Sequence, residues 1–484
     1  MTTLLVSLGL LIGGYFLYGL VAEKVFGVDS GRPTPAVSSP DGVDFVVMPT
    51  WKVFLVQFLN IAGLGPIFGA IMGAMFGPAA FLWIVFGTIF GGAVHDFISA
   101  MISLRSNGRS LPETIGRELG STVRQLLRVL SVVLLVLVGA VFVVSPANLL
   151  AGMTPAWADA TFFCCVIFLY YLLATLLPVD KLIGRFYPIF GVALLFMALG
   201  LLGYLLFSGV SIPDGFAEGV ANRHPQPDSH PLFPMLFVSI ACGAVSGFHA
   251  TQSPMMARCL ANERLARPVF YGAMVAEGIV ALIWAAAAIA FTGGYEGLAG
   301  YMADHGNQAA ALVSDISTGW LGAVGGVLAI LGVVAAPITT GDTALRSARL
   351  MVADMFGIDQ KPIVKRLAVT LPIFAVALAL MLIDFNVLWR YFAWVNQTLA
   401  AFTLWGCTVW LARTGRAYVL TLIPAMFMTA VVSAYLFCAP SPEGFGLGAG
   451  VASVIAAATT VACTAAFARF ALACRRQRLN LLSD

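Results

Sequence analysis

The chain has 484 residues, of which 60% are hydrophobic and only 10% charged, and its mean hydropathy is +0.94. That balance leaves no material for a soluble domain of any size. A net charge of +3 marks no nucleic-acid-binding surface, and eight cysteines without a CxxC spacing indicate neither a disulfide framework nor a thiolate metal site.

A bilayer core about 30 Å thick takes roughly 20 apolar residues per helix. Hydropathy places such spans at 4–21, 53–76, 80–103, 129–150, 160–178, 187–208, 234–255, 270–292, 317–340, 367–385, 391–412, 417–438 and 448–472. The expected fold class is therefore an all-α polytopic membrane protein with about 13 transmembrane helices. The first span lacks a basic n-region and a cleavage site, so it reads as a retained anchor.

Of the 26 Lys and Arg residues, 24 fall on alternate loops. They are Lys24 to Lys52, Arg105 to Arg128, Lys181 and Arg185, Arg258 to Arg267, Arg346 to Arg366, Arg413 and Arg416, and Arg469 to Arg478. Only Arg223 and Arg390 lie on the opposite side. The positive-inside rule then puts the amino terminus outside and the carboxyl terminus in the cytoplasm.

Two spans carry features that lipid-facing helices avoid. The second contains Asn60-Ile-Ala-Gly-Leu-Gly-Pro-Ile-Phe-Gly69, where Gly63, Gly65 and Pro66 invite an unwound segment at mid-membrane. The seventh contains Cys242-Gly-Ala-Val-Ser-Gly-Phe-His-Ala-Thr-Gln-Ser-Pro254. A kinked helix with closely packed small residues is the plain alternative for either one alone. Together they begin two five-span blocks of opposite orientation, which points to a secondary transporter with its substrate site between inverted halves. The expected division is 1–52 as an amino-terminal helix and cytoplasmic loop, 53–208 and 234–412 as the two inverted five-helix repeats, and 417–484 as two further helices with a basic cytoplasmic tail.

Ionisable groups within the spans are the next signal, since each costs roughly 2.5–3.5 kcal/mol at the membrane centre. Asp96, His249 and Glu277 are the candidate ion-coupling residues, with an Asp96–Arg105 pair as the structural alternative for Asp96. Half-helix amino termini offer free amides and a positive dipole end to an anionic substrate group. Asn60, Gly63, Gly65, Ser246, His249, Gln252 and Ser253 are the candidate substrate-binding residues on that ground. Asp342 and Arg346, one helical turn apart, are candidate gating residues, against the alternative of a solvated pair. Asn396 and Gln397 read as interhelical glue.

The same segments resemble the carbon starvation protein A family, whose members are peptide and pyruvate transporters. The resemblance rests on Val28-Asp29, Thr34-Pro-Ala-Val37, Asp41-Gly42, Ile61-Ala-Gly-Leu-Gly-Pro66, Gly92-Ala-Val-His-Asp-Phe97 and Ser106-Asn-Gly-Arg-Ser-Leu111. It continues through Ala241-Cys-Gly-Ala-Val-Ser-Gly-Phe-His-Ala250, Leu260-Ala-Asn-Glu263, Tyr271-Gly with Glu277, Asp342-Thr with Arg346 and Arg349, and Asn396-Gln-Thr-Leu-Ala400. It implies an inner-membrane importer with a LeuT-like 5+5 inverted repeat of the amino acid, polyamine and organocation superfamily, with one extra helix before the repeats and two after. In such folds the eighth core helix adds hydroxyls to a sodium site, a role that falls here on Thr339 and Thr340, with carbonyls near Ala62 and Gly63. A plain helix end is the alternative for those threonines. Longer members carry a His-His pair where this chain has Val56-Gln57, and a small apolar residue where it has Asn60. This chain resembles a short variant.

With five histidines and no HExxH, GxSxG or Walker loop, nothing suggests an enzyme or a self-contained pump. The expected activity is ion-coupled import of peptides or small carboxylated nutrients, without a cofactor or bound metal, coupled first to protons and second to sodium. A nutrient sensor or scaffold and a passive channel are the competing classes, although loops 22–52 and 209–233 are too short for a signalling domain. The expected partners are the substrate and the lipid bilayer, and the sequence is silent on oligomeric state.

Overall fold

Apolar stretches of about 20 residues satisfy their backbone amides within a bilayer by forming helices. The computed structural model describes residues 1–40, 45–176, 180–360 and 362–483, in which every regular element is helical. Asp41-Gly42 of the family motif lies outside these residues, and the side chains of Lys181, Arg185 and Arg478 are not among those described.

The first half contains α1 (Thr2–Phe26), α2 (Thr50–Ile61), α3 (Gly65–Ala74), α4 (Ala79–Arg105), α5 (Leu111–Leu119), α6 (Ser121–Met153), α7 (Ala160–Leu176) and α8 (Asp180–Phe207). The second half begins with α9, a turn at Leu232–Leu236 running into Phe237–Ser239, and continues with α10 (His249–Ala257), α11 (Glu263–Phe291) and α12 (Tyr295–Asp304). Then come α13 (Ala309–Ala329), α14 (Ala335–Phe356), α15 (Ile363–Leu380), α16 (Phe385–Arg413), α17 (Val419–Cys438) and α18 (Ala449–Ser483).

Local chemistry sets several of these ends. Gly27 closes α1 at φ 67°, a left-handed cap, with its amide on the Glu23 and Lys24 carbonyls. Asp384 caps α16 by accepting from the Asn386 and Val387 amides. The helices α5 and α12 lie outside the predicted spans. One of them, α5, is held to α16 by Glu118 and Arg413 at 3.1 Å. Burial pushes the Glu118 carboxyl above the ordinary glutamate range, against the pull of Arg413.

Each predicted span falls on a helix or a broken helix. Among the described residues, nine helices are individually long and apolar enough to cross a membrane, and α2 with α3 makes a tenth as a pair bent by 55°. Length and apolarity alone therefore do not reach thirteen. The other three predicted spans are the short α7, the interrupted α9–α10 segment, and α16, which carries Arg390, Asn396 and Gln397. The ninth predicted span, 317–340, belongs to a longer run over Ala309–Phe356, broken at Gly322 (φ 59°) and loosened at Ile330–Val334.

Burial separates centre from rim. The apolar windows of α4 and α11 are 83% and 78% buried, whereas those of α15 and α18 are 28% and 17% buried. Val454 and Val461 of α18 lie on the exposed rim, as lipid contact requires.

Candidate functional site

Glycine lets two interrupted helices approach each other at the centre. The chain unwinds at Ala62–Leu64 between α2 and α3, and at Ile240–Phe248 between α9 and α10. A Cβ on Gly65 would lie 2.1 Å from the Cys242 Cβ, and one on Gly69 would lie 2.9 Å from the Ser239 carbonyl oxygen. On the third span, a Cβ on Gly92 would meet the Ala244 carbonyl oxygen at 2.2 Å. These positions accept hydrogen alone. Gly243 turns the second break at φ 90°, a left-handed conformation that suits glycine.

The unwound backbone is satisfied by side chains from three helices. Thr88 of α4 donates to the Gly243 carbonyl at 2.9 Å, and the Gly243 amide donates to Glu277 Oε1 of α11 at 3.0 Å. From α16, Asn396 Oδ1 accepts from the Phe248 amide at 2.7 Å, while its backbone carbonyl accepts from Gly247 at 3.2 Å. Asn396 also bonds Ser246.

A chain of ionisable groups runs through the same place. Asp96 Oδ1 lies 2.7 Å from His95 Nδ1, Asp96 Oδ2 lies 2.9 Å from His249 Nδ1, and His249 Nε2 faces Glu277 Oε2 at 3.5 Å. All four side chains are fully buried. With Nδ1–H donated to the Asp96 carboxylate, His249 Nε2 turns a lone pair toward a carboxylate oxygen that has no other partner. Two lone pairs face to face repel, so the gap asks for a proton or a cation. Cys242 Sγ completes a group with His249 and Glu277 whose donor atoms lie within 4.8 Å of one another.

Asp96, His249 and Glu277 thus meet, although they come from three different spans. The alternative Asp96–Arg105 pair is corrected: Arg105 instead takes Glu263 through Nε at 3.1 Å and Nη2 at 2.9 Å, and also bonds the Gly27 carbonyl. Ser253, one turn after His249 on α10, lies 3.4 Å from the Gln57 side-chain amide. Asn60 and Gln252 are buried, each with a side-chain oxygen that has no hydrogen-bond partner. Gly63 faces the Phe142 ring, and Ser246 is held by Asn396. The amides of Gly247 and Phe248 are already occupied by Asn396, which narrows the anion cradle expected at this break.

Thr339 and Thr340 both donate to the Ala336 carbonyl of their own helix, at 2.7 and 3.0 Å. Phe142 lies against Gly63 on one side and Gly341 on the other. Asp342 and Arg346 pair at 3.4 Å, and Arg346 also donates to the Ala174 carbonyl. Sequence reasoning missed Cys242, Thr88 and the pairing of Gln57. Their types carry no signal in isolation, and only the crossing of spans puts them at the site.

Two broken helices meeting at the centre of a buried helical membrane bundle define a LeuT-like fold. The solved structures agree: MhsT in complex with L-phenylalanine superposes with a TM-score of 0.55 at 16% identity, over 86% of this chain and 99% of that one. A manganese transporter from Eremococcus coleocola superposes with a TM-score of 0.52 at 13% identity, over 91% and 99%. The chain belongs to the carbon starvation protein CstA family, whose family model matches residues 1–200, 152–321 and 309–434.

Among its relatives, an uncharacterized membrane protein of Haemophilus influenzae is 44% identical over 329 residues, 58% of this chain and 88% of that one. The peptide transporter CstA of Bacillus subtilis is 29% identical over 569 residues, 94% of each chain. The pyruvate/proton symporter BtsT of Escherichia coli is 29% identical over 340 residues, 57% of this chain and 47% of that one. The match therefore spans about half the length of BtsT. The latter two are named as transporters, and this chain, with its apolar helices, is a multi-pass membrane protein.

Proposed function

We propose that this chain imports peptides or small carboxylated nutrients, amino acids or pyruvate among them, by ion-coupled alternating access around the two broken helices. The single observation that carries the reading is the buried chain Asp96–His249–Glu277 bonded to the unwound Gly243 amide. A proton placed between His249 Nε2 and Glu277 Oε2 removes the repulsion there, and its loss restores it. The geometry of the break is thereby tied to the ion gradient. Names of relatives support the substrate classes, since one is a peptide transporter and another a pyruvate/proton symporter.

In this reading Asn60, Gly63, Gly65, Ser246, Gln252 and Ser253 surround the substrate between the two broken helices as access alternates around them. Asp342 and Arg346 lie on the gate at the basic end. Thr339 and Thr340 supply oxygens if sodium takes part. On this reading the protein sits in the inner membrane, and the bias of basic residues to alternate loops supports an amino terminus outside and a carboxyl terminus in the cytoplasm.

A second reading has one observation of its own. Cys242, His249 and Glu277 offer sulfur, nitrogen and oxygen donors of the kind that bind borderline-soft divalent cations. On that reading the coupling ion is a metal.

Uptake of labelled dipeptide, alanine and pyruvate into proteoliposomes, with proton and sodium gradients imposed separately, tests the proposal. We expect accumulation under a proton gradient that falls at least tenfold in Glu277→Gln at equal expression. Unchanged accumulation in that variant removes Glu277 from coupling. Loss of uptake in Cys242→Ser together with dependence on an added divalent cation selects the metal. Gradient-independent flux identifies a channel, and no flux under any condition identifies a sensor or scaffold.

A further inference from the structure

Just beyond the crossing, at the end of the bundle poor in basic residues, lies a cavity of about 360 Å3. Pockets of about 300–1,000 Å3 hold small-molecule ligands. Both broken spans build it. Met72 of α3 and Phe76 in the following turn come from one, Met235 and Ser239 of α9 come from the other, and Trp389 and Arg390 of α16 line a wall. Methionine is unbranched and polarizable, and such walls accept apolar groups of differing shape.

Polar side chains also line the cavity, Arg390, Glu443 and Asp384 among them. Arg390 Nη2 lies 2.5 Å from Glu443 Oε1, and the Tyr435 hydroxyl donates to Glu443 Oε2 at 3.3 Å. Asp384 adds a second carboxylate at the rim, where it caps α16. The Trp389 indole is 4% exposed and its N–H has no hydrogen-bond partner. His224 and His230 stack with ring centroids 4.3 Å apart. Burial pushes His224 down to about 4, and burial together with Arg390 pushes His230 down as well, so both rings are neutral near pH 7.

We propose that this cavity is a binding site for a zwitterion with an apolar side chain, an amino acid or short peptide. Its carboxylate takes Arg390 and the Trp389 N–H, and its ammonium takes Glu443. The Arg390–Glu443 pair is the internal stand-in for the ligand's two ends: opening it exposes one charge of each sign, and a zwitterion re-pairs both. A monoanion such as pyruvate releases Glu443 from Arg390 and offers nothing in return. The cavity then holds one guanidinium against three carboxylates, with no charged histidine to balance them.

This inference rests on the transport reading only for the ligand's onward passage, because binding is read on the purified protein. Calorimetric titration of the full chain with alanyl-leucine, its N-acetyl derivative, its C-terminal amide and pyruvate is the test. We expect alanyl-leucine to bind at least tenfold more tightly than the other three. Arg390→Gln should weaken alanyl-leucine at least tenfold while leaving the amide unchanged. Glu443→Gln should weaken alanyl-leucine and not the N-acetyl derivative. Trp389→Phe should weaken all three carboxylate ligands.

Equal affinity for pyruvate and alanyl-leucine overturns the proposal without any variant being made, as does the absence of alanyl-leucine binding. So does alanyl-leucine affinity unchanged in both charge variants. If these bindings hold while proteoliposomes show no uptake, the transport reading fails and the site stands. If uptake is driven and the variants bind as wild type, the site fails and transport stands.

Discussion

Asn396 illustrates how one amide sets a backbone conformation. It is fully buried and offers Oδ1 to an amide that the broken helix has left without its usual carbonyl. Replacing it by alanine leaves the Phe248 N–H buried and unpaired, which costs about 1–3 kcal/mol. We expect Asn396→Ala to lower the thermal midpoint of the purified protein, and a midpoint equal to wild type would show that the segment finds another acceptor. Thr88 and Glu277 each hold one end of Gly243 in the same manner, so Glu277 is both a bracket for the break and the group facing His249. Glu277→Gln retains an oxygen able to accept the Gly243 amide, and that is why it separates the two roles.

Between elements, shape rather than hydrogen bonding governs the closest approach. Gly65 has no room for a Cβ because Cys242 occupies the space. Gly65→Ala should therefore abolish uptake, and Cys242→Gly in the same chain should restore it in part, since the two sites are in contact and non-additive. Equal loss in the single and double variants would mean that Gly65 is needed for its dihedral freedom. At the basic end Arg105 and Glu263 form a nearly buried pair joining α4 to α11. Removing one partner leaves an uncompensated charge at a cost of about 3–5 kcal/mol, so Arg105→Gln should express poorly or melt early.

The breaks themselves were legible because glycine and proline punctuate apolar runs in a way that no lipid-facing helix needs. The ionisable trio was legible by its cost in the membrane. The partners were not, because pairing between residues 153 positions apart, as for Asp96 and His249, is a property of the packed bundle. Asn396 reads as interhelical glue, and its bonds to Ser246 and the Phe248 amide join α16 to the second break. That its acceptor would sit on an unwound amide has no sequence signature. α5 was missed because nine amphipathic residues at a membrane face resemble a polar loop when scanned for spans.

For the molecule as a whole, acid should be destabilising through the loop 209–233. The folded state holds His224 at about 4, below its ordinary 6.5, so the unfolded chain binds the proton more readily in between. Stability is complete above about pH 6.5 and is lost as pH falls toward 4. Thermal midpoints at pH 7 and pH 5 should differ in wild type, and His224→Gln should shrink that difference. An undiminished difference would place the acid sensitivity elsewhere.

The bonds that close the second break also decide which parts of the machine can travel. Thr88, Glu277 and Asn396 anchor one unwound strip to α4, α11 and α16 at once, so the distances among these four stay fixed through a turnover unless those bonds are broken. They form the surveyor's baseline of the molecule. Spectroscopic labels on α4 and α16 should keep their separation while substrate is carried, and the displacement that defines the cycle is to be sought by measuring other helices against them.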